Sequence, residues 1–178
     1  DPNIKSNGST HLFIGTDRTN DERNVEDYHV QAYQYLMAHQ EEIKQAILEF
    51  LLEEYEWIRE SNVEVEGKPN PLPEVSETKA FETRIGLEGV SLLDTEKDGL
   101  GYIGLNFECV WDEMHGIGFI VHKNRVIGMG DGEYSFQDSN AYIDSLPEEE
   151  QKEILKRNRE KESAFFPFDF IRMAEENI

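Results

Sequence analysis

Asp112, Glu113 and His115 place two carboxylates and an imidazole within four residues of one another. Such a set could hold a divalent metal or move a proton, because carboxylate oxygens and imidazole nitrogens serve both tasks. His122 is the one nearby reinforcement, and no second His or Cys stands at a helical ligand spacing. The same residues also suit a hairpin turn, since Asp and Gly favour turn backbone and a histidine bonds locally. Other stretches carry weaker chemistry. Asp94 to Gly99 opens like a calcium loop, but Leu105 occupies the twelfth position, where a bidentate Glu is required, so a β-turn accounts for it better. Gly128-Met129-Gly130-Asp131-Gly132 lacks the lysine and the strand-turn-helix context of a phosphate loop and reads as a sharp strand exit. Cys109 falls in an apolar alternation with no cationic neighbour to activate it, and no serine is flanked by glycines as a nucleophile would be.

The elements that must position these residues follow from hydrophobic spacing. In Tyr102 to Trp111 one face presents Ile103, Leu105, Phe107, Cys109 and Trp111, and the other Gly104, Asn106 and Glu108. The chain then turns over Asp112 to Gly116, resumes the alternation at Ile117, Phe119 and Val121, and turns again at Lys123-Asn124 into a strand over Arg125 to Met129. With a strand around Val90 to Leu93 joined through Asp98-Gly99, this predicts an antiparallel sheet of about four strands. Upstream, Ala32, Leu36, Ile43, Ile47, Leu51 and Ile58 recur near helical spacing over about Val25 to Ile58, with a phase drift at His39-Gln40 that allows one helix or two. The segment from Gly67 to Pro73 is a connector, and Ser76 is placed to cap a short helix running to about Arg84. Ser145-Leu146-Pro147-Glu148 matches a capping box before an exposed charged helix reaching about Glu162. Phe165, Phe166, Phe168, Phe170 and Ile171 cluster around Pro167, a density that calls for docking on the body or on another chain. Residues 1–24 are polar and read as an irregular arm, although Leu12-Phe13-Ile14 could add one short strand or dock as an anchor. The remainder, 25–178, reads as a single α+β domain.

At 178 residues the chain is long enough to bury a core. Its 17 basic against 38 acidic residues give a net charge of −21, which repels phosphate backbones and anionic lipid head groups, so neither nucleic acid nor membrane is expected as a partner. A basic protein would be steered toward the same surface. The lone cysteine permits no internal disulfide, and no basic-then-apolar leader opens the sequence given, which together point to a cytoplasmic protein.

The run from Tyr102 to Gly118, together with Val126-Ile127 and the exit from Gly130 to Phe136, resembles an uncharacterised bacterial domain family marked by a Trp-Asp-x-Glu-His-Gly-x-Gly hairpin. The helical stretches Gln31 to Leu36 and Glu41 to Leu52 resemble it too, so the likeness covers about Gln31 to Phe136. Gly130-Asp131-Gly132-Glu133 departs from the family's Gly-Ala-Asp pattern. The resemblance implies no activity or cofactor, and it implies a kinship with immunity-like proteins of bacterial polymorphic toxin systems.

The expectation is therefore an α+β fold with a long N-terminal helical segment on an antiparallel sheet, bearing a binding surface at Trp111, Asp112, Glu113, His115, Gly116 and Gly118. Its function would be non-catalytic, without metal or cofactor: occlusion of a basic protein such as a toxin. The alternatives are a metal-dependent enzyme using Asp112, Glu113, His115 and His122, and an assembly module using the Phe165 to Ile171 cluster. Oligomeric state stays open.

Overall fold

The computed structural model describes residues 9–15, 25–61, 64–65, 68–69 and 72–162, with side chains described for 9–15, 25–61 and 72–158. The Phe165 to Ile171 cluster lies outside the described residues, as does part of the Gly67 to Pro73 connector.

The helical periodicity resolves into two helices, α1 (Asp27–Ala38) and α2 (Gln40–Ser61), separated at His39 where the phase drifts. At the start of α1 the Glu26 N–H donates to Nδ1 of His29, which satisfies one of the free donors of a helix N-terminus. These helices do not open the fold as expected. They follow β1 (His11–Ile14), so the short-strand option for Leu12-Phe13-Ile14 is the one realised. After α2 come the two-residue strands β2 (Glu64–Val65) and β3 (Lys68–Pro69), which pair with each other. Four long strands follow: β4 (Ile85–Lys97), β5 (Leu100–Cys109), β6 (Asp112–His122) and β7 (Arg125–Gly130). The last elements are α3 (Asp138–Ser145) and α4 (Glu148–Glu162).

The main sheet runs β1-β4-β5-β6-β7. It has five strands, not four, and it is mixed: β4 to β7 form the expected antiparallel meander, whereas β1 lies parallel to β4, with Leu12 opposite Val90 and Ile14 opposite Leu92. Parallel neighbours require a crossover, and α1 with α2 provides it. Asp98 and Gly99, both at positive φ (55° and 78°), make the tight turn between β4 and β5.

One face of the sheet carries the main core. Ala32 of α1 and Ile43, Ile47, Leu51, Tyr55 and Ile58 of α2 pack against Val90, Leu92, Ile103, Leu105, Ile117, Phe119 and Val121. Each fully buried Val, Leu, Ile or Phe among them contributes about 1.5–3 kcal/mol. Along β5 the expected alternation holds for this face, but the opposite face is not solvated: Tyr102, Leu93 and Ile120 are buried there with Ala141 of α3. The 3₁₀ segment Gly132–Phe136 covers that second face by lying directly on strand backbone. A methyl group at Gly104 would land on the Ser135 carbonyl oxygen, and one at Gly118 would stand 2.6 Å from the Asp131 carbonyl oxygen.

Two local expectations are corrected. The segment after Ser76 forms only a 3₁₀ turn, Thr78–Phe81, with Glu77 and not Ser76 at its N-cap. Ser145 ends α3 and does not cap α4; its hydroxyl donates to the Tyr142 carbonyl at 2.7 Å, while Pro147 precedes the first turn of α4 and accepts from the Glu150 and Gln151 N–H groups. α3 itself was missed. The charged helix expected to about Glu162 is α4, whose described side chains are mostly exposed with Gln151, Ile154, Leu155 and Asn158 half-buried.

Because the Gly104 contact is backbone against backbone, nothing flexible can give way. Gly104→Ala is expected to cost about 3 kcal/mol in urea denaturation, the upper end for overpacking. A loss under about 1 kcal/mol would mean that the 3₁₀ segment is not seated as described.

Candidate functional site

The hairpin between β5 and β6 turns at Val110-Trp111, not over Asp112 to Gly116, because Cys109 already pairs with Asp112. The next pair is Phe107 with Ile117, so four residues of β6, Glu113 to Gly116, stand opposite Glu108 alone. The extra residues bulge out of the ladder, as bulged strands do at sheet rims. Asp and Gly in this stretch close the bulge and not the turn.

Each residue of the motif has a place in that bulge. Trp111 is buried and lies edge-on to Tyr55 of α2 (5.9 Å) and to Phe81 (6.5 Å), which fixes the hairpin to the core. The Asp112 carboxylate accepts from the His115 N–H at 3.0 Å and meets His115 Nδ1 at 3.0 Å. Since a carboxylate only accepts, the ring N–H at Nδ1 is the donor of this contact. Gly116 has φ of +67°, and a methyl group there would collide with the Phe107 carbonyl oxygen, so glycine is required where the bulge returns to the ladder. Gly118 sits beneath the 3₁₀ segment. Glu113 and His115 are exposed, and Met114 between them is 83% exposed, the largest value among the exposed large hydrophobic side chains described.

The six expected residues thus stand together in sequence but divide in role. Trp111, Gly116 and Gly118 shape and anchor the protrusion; Asp112, Glu113 and His115 reach its surface. Met114, which no motif of the sequence singles out, is its most exposed large hydrophobic side chain. His122 is not part of it. Seven residues beyond His115 along β6, or about 20 Å at the rise of a strand, it is buried with its ring 4.6 Å from Tyr102 and its Nε2 3.2 Å from the Lys97 carbonyl. Among the described residues no three His, Cys, Asp or Glu side chains are grouped to hold a metal ion. Cys109 is buried, its thiol pushed up to about 12 by burial, with Sγ 3.5 Å from the Asp112 carbonyl oxygen.

At the far end of the sheet lies a polar cluster that no motif of the sequence signals. Asp144 of α3 accepts from the Tyr102 hydroxyl at 2.6 Å and from Arg125 Nη2 at 2.7 and 2.9 Å, with Lys97 Nζ 3.5 Å away. Lys97 also donates to the Asp144 backbone carbonyl at 2.6 Å. A cleft of about 340 Å³ adjoins the cluster, lined in part by Lys97, Arg125, Tyr134 and Gln151. Burial works to raise the Asp144 carboxyl, but hydrogen bonds from Arg125 and Tyr102 outweigh it and hold the group below its ordinary value. Burial, with the bond and charge of Asp144, holds the Tyr102 hydroxyl far above its ordinary value. Burial lowers His122, against the hydrogen bond with the Lys97 carbonyl. The charged groups satisfy one another, which makes the cluster a clamp between α3 and the sheet.

With the hairpin and its bracing described, the comparison with known families becomes informative. Residues 4–136, three quarters of the chain, match the family described as a domain of unknown function, DUF6985. The chain belongs to this family. The DUF6985 match takes in β1, both long helices, the meander and the 3₁₀ segment, and stops before α3 and α4. No curated protein and no solved structure matches the chain. Among the described residues no helix is long and apolar enough to cross a membrane.

Asp144 lies outside the DUF6985 match, yet it ties α3 to the matched sheet. Its folded pKa is below the unfolded one, so its contribution is present above about pH 4 and is lost as pH falls through the folded value. Asp144→Asn should cost about 3 kcal/mol at pH 7, leaving the Tyr102 hydroxyl and two cations poorly paired. The variant should also lose less stability than the parent between about pH 4 and pH 2. Parallel pH profiles for the two proteins would disprove the clamp.

Proposed function

We propose that this DUF6985 chain is a non-catalytic binding protein of the immunity type, which occludes a basic protein such as a toxin, in the cytoplasm. The observation that carries the reading is the bulge itself. Glu113, Met114 and His115 project from the sheet rim on a support in which Trp111, the Asp112–His115 pair and Gly116 fix the backbone. An exposed methionine on a fixed support is a poor use of apolar surface unless something covers it, whereas a thioether adapts to many apolar pockets. The flanking carboxylates and the net charge of −21 would draw in a cationic partner and orient it before Met114 is buried. The immunity class rests on the resemblance of the hairpin and helices to proteins of toxin systems. No observation favours a metal-dependent enzyme over this reading, since His122 stands apart from Asp112, Glu113 and His115.

The test is recovery of partners by the tagged protein from its native host at low and moderate salt, with Met114→Glu alongside. One basic protein should co-purify in stoichiometric amount with the parent, fall away as salt rises, and bind the variant at least about tenfold more weakly, the effect of losing about 1.4 kcal/mol of contact. Recovery that ignores both salt and the substitution would sink the proposal. Gly116→Ala, which disturbs the bulge without touching its surface groups, should weaken the same capture while leaving the circular dichroism of the fold intact.

A further inference from the structure

The acidic surface has one long gap. Between Asp27 and Glu41 lie thirteen consecutive residues with no Asp, Glu, Lys or Arg, the longest such run in a chain that is 31% charged. Twelve of those residues make up nearly all of α1 and its junction with α2. The inner side of α1 is accounted for: His29 and Ala32 are buried, Tyr28, Tyr35 and Leu36 are half-buried, and Gly101 of β5 lies against Tyr28 and Ala32. Among the described residues nothing covers its outer side. Val30, Tyr33 and Met37 are 43%, 42% and 53% exposed, and their spacing of three and four residues lines them up as a single apolar stripe, bordered by exposed Gln31 and Gln34.

A stripe at this spacing, on a helix whose other side is already packed, has the geometry that the seam of a helix pair requires. What can cover it is set by charge. A cationic partner is drawn to the carboxylates elsewhere, and α1 offers it none beyond Asp27. A second copy of this chain also carries −21 and is repelled by nearly every other approach, but here two copies meet without opposing charges. The stripe also complements itself. Antiparallel pairing centred between Tyr33 and Gln34 sets the short, branched Val30 of each copy against the long, flexible Met37 of the other, and brings the two Tyr33 rings together at the centre. We propose that the outer face of α1 is a self-association surface on which a second copy docks its own α1 antiparallel.

A single helix pair buries on the order of 1,000 Å² in total, the low end for specific interfaces, so the dimer is weak and depends on concentration. Its salt dependence is opposite to that of steering toward a basic partner: salt screens the mutual repulsion and strengthens the pair. Sedimentation of the full chain from about 5 to about 500 µM should show mass rising toward twice the monomer, with more dimer at about 0.5 M salt than at about 0.05 M. Tyr33→Glu and Met37→Glu should each lower the association constant at least about tenfold with unchanged circular dichroism, and Met114→Glu should leave it unchanged. Should Tyr33→Glu unfold the chain, Gln34→Glu sets like charges at the centre of the same contact from an exposed position. A chain that stays monomeric at every concentration in high salt overturns the proposal, as does a dimer indifferent to the α1 substitutions.

Discussion

The backbone of Asp131 to Ser135 rests on the backbone of β5 and β6 at Gly104 and Gly118, and much of the second half of the molecule depends on that contact. Any side chain at either glycine would hold the segment off the sheet. Once it is seated, Gly132 comes against the His115 carbonyl and braces the bulge from below, and the chain leaves Phe136 in position to start α3 over Tyr102 and Ile120. From there Asp144 reaches Tyr102 and Arg125. A close backbone approach thus connects the protrusion at one end of the sheet to the clamp at the other.

What the sequence could reveal was set by how local the cause was. The alternation of Ile103, Leu105, Phe107 and Cys109, and the drift at His39, each act within a few residues, and the strand and the helix break are found where they indicate. β1 is barely legible in the sequence because four residues carry little periodicity and their partner, β4, is 78 positions away. α3 is only eight residues long, too short for a stripe to declare itself. The bulge misled for another reason: Asp112 and Gly116 have turn chemistry, but they use it to close an excursion of one strand, and the reversal is made by Val110 and Trp111. Tyr102, Arg125 and Asp144 stand far apart in the sequence, and nothing about any one of them announces the others.

Charge is divided as sharply as structure. Carboxylates dominate the chain, yet beyond Asp27 α1 carries no charge and shows an apolar stripe outward. Long-range attraction and short-range contact can therefore be handled by separate surfaces, the first sensitive to salt in one direction and the second in the other. The exposed methionines, Met37 on α1 and Met114 on the bulge, sit in these two different electrostatic settings.

The parallel placement of β1 bears on how the chain assembles. The turns joining β4 to β7 are short, so the meander can form by successive local zippering. β1 must find β4 across two helices and a connector, and the entropy of closing so long a loop is not recovered until the sheet is already present. Folding would therefore run from the centre of the sequence outward, with β1 as the last strand to join and the first to leave. Its amides should be the least protected of the sheet against exchange with solvent, well before the glycine-floored centre opens.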